Sequence, residues 1–260
     1  MYRRFAQMDD IEALEIAKSR EYKVSKSNDI IQRARFDLSV MEQKTIAYIV
    51  SKIKPTDKVL QEYVFEIRDF CKVCGIDWNN GGNYDYIKTI LKKLRDKSVW
   101  VTLDDGSETT ISWVNKVTTN KRSGSVTVRL DDDMHPYLID LTDRFTCYEL
   151  YNTLPMKSQY SLRIYELLKS YEYIGKKIFE IDDLKKKLFA EHYVNFKEFR
   201  VKVIEIALKE INEYTDIRVD YETICKGRKV IKVQFVITTK DVNARIASQS
   251  RTMRALDKAE

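Results

Sequence analysis

An internal repeat sets the strongest limit on what this chain can become. Phe65-Glu66-Ile67-Arg68-Asp69-Phe70 returns in the second half as Phe179-Glu180-Ile181-Asp182-Asp183-Leu184. Each copy is followed by a short helical pattern, a longer one and paired β segments, and each is preceded by an amphipathic helix. Helix, short strand, helix, helix, β-hairpin is the order of a winged helix, a variant of the helix-turn-helix. The fold expected is therefore α+β, two tandem winged-helix domains related by internal duplication. The 260 residues accommodate this, at roughly 100–120 residues per domain. The boundaries read as an N-terminal arm over 1–26, a first domain over 27–148, a second over 149–240 and a C-terminal tail over 241–260. That tail reads as polar, either helical or frayed.

Local signals place the elements. Ser39 and Glu42 have capping-box spacing ahead of an apolar stripe of Met41, Ile46, Ile49, Val50 and Ile53, which Lys54-Pro55 ends. Residues 63–67 alternate as a strand, 69–75 form a short helix ended by Gly75, and the turn from Asn79 to Asn83 leads into a helix over 84–97. Three β segments follow, punctuated by Asp105-Gly106 and Ser123-Gly124. In the second domain Asp182 is expected to cap the small helix, and the longest helix runs over 195–214. Ile111, Trp113 and Val117 share a face by strand parity; that face belongs either to the core or to a dimer contact.

The net charge of +6 is unevenly spread. Residues 150–240 hold 18 Lys and Arg against 13 Asp and Glu, while 27–149 hold 18 against 19. Such a modest, localised excess suits selective binding to nucleic acid. On a wheel of the long helix, Phe196, Phe199, Val203, Ile206 and Ala207 face inward, while Glu198, Val201, Lys202, Glu205 and Lys209 face out. Asn195, Lys197 and Lys202 can then reach base edges or phosphates, Glu198 can accept from cytosine, and Val201 can touch a thymine methyl. Arg200 projects nearer the stripe and reaches a phosphate by snorkelling. The helix start at Lys157 and Ser158, with Arg163 one turn on, is a candidate phosphate clamp; the alternative is a cap with an Arg163–Glu166 ion pair. Lys226, Arg228 and Lys229 make a basic wing tip, with Lys121 and Arg122 as the first domain's weaker counterpart. Lys88 and Lys92, off the apolar face of the first domain's helix, complete the candidate DNA contacts. A solvated helix and solvated hairpins are the competing readings.

Signatures of catalysis are sparse. His135 and His192 are far apart, no phosphate loop of the GxxxxGK[ST] type occurs, and no cofactor or metal is expected. Cys71 and Cys74 form an isolated Cys-x-x-Cys without a second pair and read as buried thiols. No apolar run approaches the roughly 20 residues of a membrane span and the stretch MYRRFAQMDDIEALEIAKSR lacks the continuous apolar region of a secretory signal, so a cytoplasmic, non-enzymatic protein is expected.

These residues resemble a known family, the two-winged-helix initiators of iteron-carrying plasmids. SNDIIQRARFDLSVMEQKTIAYIVSKI is similar to the family's opening helix and LPMKSQYSLRIYELLKSY to the start of its second domain. FKEFRVKVIEIALKEINEYTDIRVDYETICKGRKVIKVQFVI is the most specific segment. The resemblance implies sequence-specific binding of double-stranded DNA at origin repeats, with the second domain reading a major groove. It implies that the first domain contacts DNA in monomers or serves a homodimer in equilibrium with them. It also implies a host replication initiator and a replicative helicase as partners, and autorepression. A winged-helix transcriptional repressor without a replication role is the alternative.

Overall fold

A computed structural model describes residues 14–54, 56–77 and 82–257. Residues 1–13 of the arm, the stop at Pro55 and the turn residues Asn79 to Gly81 lie outside the described residues.

Residues 14–20 are helical (α1), followed by β1 (Lys23–Ser27), α2 (Asn28–Arg33), β2 (Ala34–Arg35) and α3 (Val40–Val50). The capping box on α3 is formed: Glu42 N donates to the Ser39 hydroxyl at 3.4 Å, and Ser39 N donates to the Glu42 carboxylate at 2.8 Å. In β3 (Glu62–Glu66) side chains alternate between solvent and core, and α4 (Ile67–Cys74) ends on Gly75 at φ +64°. The 14 residues of α5 (Asn83–Asp96) bury Ile87, Ile90, Leu91 and Leu94.

Four strands then appear where three were expected: β4 (Ser98–Thr102), β5 (Glu108–Ser112), β6 (Val114–Asn120) and β7 (Ser125–Leu130). The segment ETTISWVNKV breaks at Trp113. Its indole is buried edge-on against Phe36 at 5.2 Å, and the pairing of β6 with β7 is bulged between Val114 and Lys116. Trp113 is thus a core residue, as is Ile111, and Val117 packs half-buried against the same core, although the break at Trp113 puts Ile111 and Val117 in different sheets. The β4–β5 hairpin joins β2 in a small sheet inserted between the long helix and the wing. The wing sheet has order β3-β7-β6.

The chain continues through α6 (His135–Leu138) and β8 (Phe145–Glu149), which pairs antiparallel with β1. The second domain then has α7 (Gln159–Lys169), β9 (Lys176–Glu180), α8 (Ile181–Lys187), α9 (Phe196–Phe199), a π-helical stretch (Arg200–Glu205), α10 (Ile206–Tyr214), β10 (Ile217–Lys226), β11 (Lys229–Thr239) and α11 (Val242–Asp257). Its sheet has order β10-β11-β9, the same arrangement as β6-β7-β3. Asp182 lies inside the first turn of α8 and does not cap it; the residue at the cap is Glu180.

Several contacts join the halves. Lys26 of β1 and Glu166 of α7 form a buried ion pair at 2.5 Å, and the Tyr148 hydroxyl donates to the same carboxylate at 2.5 Å. Of the two readings of the tail the helix is the one found, over Val242–Asp257. In α11, Thr252 donates to Tyr214 O at 3.2 Å and Arg251 to Glu213 O at 3.1 Å, while Leu256 packs on Gly75 of the first domain. A Cβ at Gly75 would stand 3.0 Å from Leu256, so close approach and positive φ both require glycine. Arg20 secures the same corner, donating to Val73 O at 3.1 Å and to Asp257 at 3.0 Å.

Candidate nucleic-acid interface

The long helix of the second domain begins where Asn195 caps it, its carboxamide oxygen accepting from Glu198 N at 2.8 Å. Lys185 fixes the loop just before. Its ammonium is drawn into α8's packing and donates to Tyr193 O at 2.6 Å and Val194 O at 3.2 Å. Sequence inspection missed this positioning residue because a lysine in a run of three reads as a solvated face.

The helix then departs from 3.6-residue periodicity. The π-helical stretch inserts an extra residue per turn, which rotates everything after it relative to an ideal wheel. Ile204, Leu208 and Ile211 are therefore buried, whereas Ile206, expected inside, is 43% exposed. The outward set holds: Lys197, Glu198, Val201, Lys202, Glu205 and Lys209 are all exposed. Arg200 is half-buried and pairs with Glu205 at 3.2 Å, an i,i+5 contact that the wider turn brings onto one face.

The wing places Gly227 at φ +62° in a two-residue turn with Arg228, between Lys226 and Lys229, which pair across the hairpin. Lys226, Arg228 and Lys229 are exposed. Together the wing, the start of α8 and the start of α9 enclose an open groove of about 670 Å³, lined among others by Asp182, Asn195, Phe196, Arg228 and Lys229.

The first domain repeats this geometry. A groove of about 350 Å³ lies between the wing tip residues Lys121 and Arg122, the β3–α4 junction at Glu66 and Arg68, and Tyr84 at the start of α5. Asn120 shapes the tip by accepting from Arg122 N at 3.0 Å, and Ile67 N donates to Gly124 O at 3.0 Å, tying wing to helix. Arg68 was not anticipated as a site residue, although the repeat sets it opposite Asp182. Lys88 and Lys92 are exposed on α5, Lys92 pairing with Asp96 at 2.6 Å.

The phosphate clamp at the start of α7 is not built as expected. Arg163 is buried; it donates to Ala34 O at 2.7 Å and stacks over the Phe36 ring at 4.7 Å. Burial lowers its pKa to about 10, with Glu166 opposing. It joins the two domains and cannot touch DNA, and its expected partner Glu166 is engaged by Lys26 instead. The amides of Lys157 and Ser158 donate to the Glu210 carboxylate at 3.0 and 3.3 Å, so an anion of the protein's own already occupies that helix start. The Ser158 hydroxyl caps Tyr160 N at 3.2 Å, and only the Lys157 side chain remains outward.

Cys71 and Cys74 are buried, and burial pushes both thiols up to about 12. Among the described residues no cluster of His, Cys, Asp and Glu is arranged to hold a metal ion, and no helix is long and apolar enough to cross a membrane.

Comparison with protein families finds two matches in chain order. Residues 23–169 match the family described as Initiator Replication protein, WH1. Residues 180–237 match the family described as Initiator Rep protein, WH2. The first match runs through α7, the helix that packs on α10, and the second spans β9 to β11.

Proposed function

The chain belongs to the family of plasmid replication initiators with two winged-helix domains, and on that premise we propose that it binds repeated sites at an origin, reading each repeat with both domains at once. It is a DNA-binding protein of replication initiation. The observation that carries the finer reading is the duplicated groove: in each half a basic wing tip faces the start of the long helix across a strand–helix junction. In the second domain the α9–α10 helix enters a major groove with Lys197, Glu198, Val201 and Lys202 forward, while Arg228 and Lys229 reach the flanking backbone or minor groove. In the first domain Lys121, Arg122 and Lys88 take the corresponding places.

The protein acts by binding and not by catalysis. It represses its own promoter where that promoter overlaps such sites, and it exchanges between homodimer and monomer. It works in the cytoplasm, where it engages the host's origin-melting initiator and replicative helicase. Selection of bound fragments from the source replicon, followed by sequencing, tests the reading. Enrichment of a short repeated sequence clustered at one locus is expected. Recovery of single promoter sites without repeats would favour a plain transcriptional repressor.

A further inference from the structure

The duplication supplies an internal control for a second surface. Phe65 and Phe179 are equivalent in the repeat. Phe65 pairs with Val126 of β7, and Phe179 with Val233 of β11, which aligns the two wing sheets. Two residues on, Val128 corresponds to Phe235, and their partners on β6 and β10 are Val117 and Tyr221. In the second domain this pair is aromatic: the rings of Tyr221 and Phe235 lie 6.4 Å apart. Phe235 lies in the core and Tyr221 packs against it, half-buried. In the first domain the same two positions are valines, and the seam between α5 and β6 stands open as a cleft of about 580 Å³.

The walls of that cleft are cationic. Lys88, Lys92 and Arg95 line it from α5 and Lys116 from β6, against one acidic lining residue, Asp85. Lys92 and Arg95 share Asp96, at 2.6 and 3.8 Å, while Lys88 and Lys116 have no ion pair among the described residues. The floor is Val117 and Thr119, both half-buried, and β6 is an edge strand.

We propose that this cleft docks an acidic segment of a partner protein, which inserts one aromatic side chain where the second domain carries Tyr221. An aromatic ring takes the space beside Val117, and flanking carboxylates meet Lys88, Lys92, Arg95 and Lys116. A phosphodiester backbone would satisfy those cations but has no ring to set against Val117; Lys88, which the DNA reading also uses, lies on the rim that the two ligands share.

The test uses the full chain and a fluorescent synthetic peptide of Asp and Glu around a single tyrosine, read by anisotropy. Saturable binding is expected, weakened about tenfold or more when the peptide tyrosine is alanine. Val117→Tyr, which sets a tyrosine where the second domain has Tyr221, should weaken binding at least as much while origin-DNA affinity and melting temperature stay unchanged. Lys116→Glu, on the rim, should also weaken the peptide; with the alanine peptide it decides the matter if Val117→Tyr fails to fold. No saturable binding, or equal binding by the alanine peptide or by a folded Val117→Tyr chain, would overturn the proposal. Loss of origin affinity in a folded Val117→Tyr chain, with origin duplex displacing the peptide, would assign the cleft to DNA instead.

Discussion

Lys202 and Arg163 show how burial sorts two cations that both lie on helices of the second domain. Lys202 is exposed on the outward ridge and has no ion pair among the described residues, so its charge is available to a ligand. Arg163 is spent inside the protein, on Ala34 O and the Phe36 ring. Lys202→Ala should cost about 1–3 kcal/mol of DNA affinity and relax preference at one position if the lysine reads a base. If it touches phosphate, all sequences should weaken alike and the salt slope should fall by about 1. Arg163→Ala should leave the DNA contacts alone and lower folding stability by about 1–3 kcal/mol, because Ala34 O loses its donor. Urea unfolding beside DNA titration checks the contrast; an Arg163→Ala chain of unchanged stability with weakened DNA binding would restore Arg163 to the interface.

At the scale of elements, α11 acts as a clasp. It is anchored on the end of α10 through Thr252 and Arg251, and it delivers Leu256 to Gly75 at the end of α4 in the other domain. Removing residues 241–260 should therefore loosen the first domain as well as the second. Hydrogen exchange read at α4 is expected to speed up on truncation; unchanged protection there would mean that the clasp carries no load. Local signals in the sequence located most elements correctly: the Ser39–Glu42 box and the Gly75 stop each depend on local chemistry that neighbours do not alter. What the sequence concealed was non-local or aperiodic. The π-helical stretch displaced Ile206 and drew Ile204 inside, and no composition rule announces an extra residue per turn. The split of ETTISWVNKV into β5 and β6 was concealed because it depends on Trp113 packing against Phe36, a contact distant in sequence, whereas the wing tip at Lys121 and Arg122 was legible. The Glu210 carboxylate at the start of α7 lies some fifty residues downstream, beyond the reach of any capping rule.

Across the whole molecule, the two domains share a polar joint as well as an apolar core. Burial raises the Glu166 carboxyl, but the Lys26 ammonium, the hydrogen bond that it donates and the Tyr148 hydroxyl outweigh this and hold its pKa below the ordinary value. A carboxyl depressed on folding adds stability above its unfolded pKa, about 4.3 for Glu, and this stability is lost as pH falls through the lower folded value. Acid should therefore weaken the joint in that window. Glu166→Gln should be less stable at neutral pH by about 3–5 kcal/mol, because Lys26 is left buried without its partner, and should lose less on acidification. Chemical denaturation across pH checks this; identical acid profiles for both proteins would remove the pair from the account.

The central claim is that both winged helices sit on one repeat, held at a fixed distance by this joint and by α11. Hydroxyl-radical footprinting on a duplex carrying a single repeat tests it most directly, with charge reversals in each wing. Lys121→Glu with Arg122→Glu should erase protection at one end of the footprint, and Arg228→Glu with Lys229→Glu at the other, each leaving the opposite end in place. A footprint no wider than one winged helix, unchanged by reversal of the first wing, would show that only the second domain reads DNA.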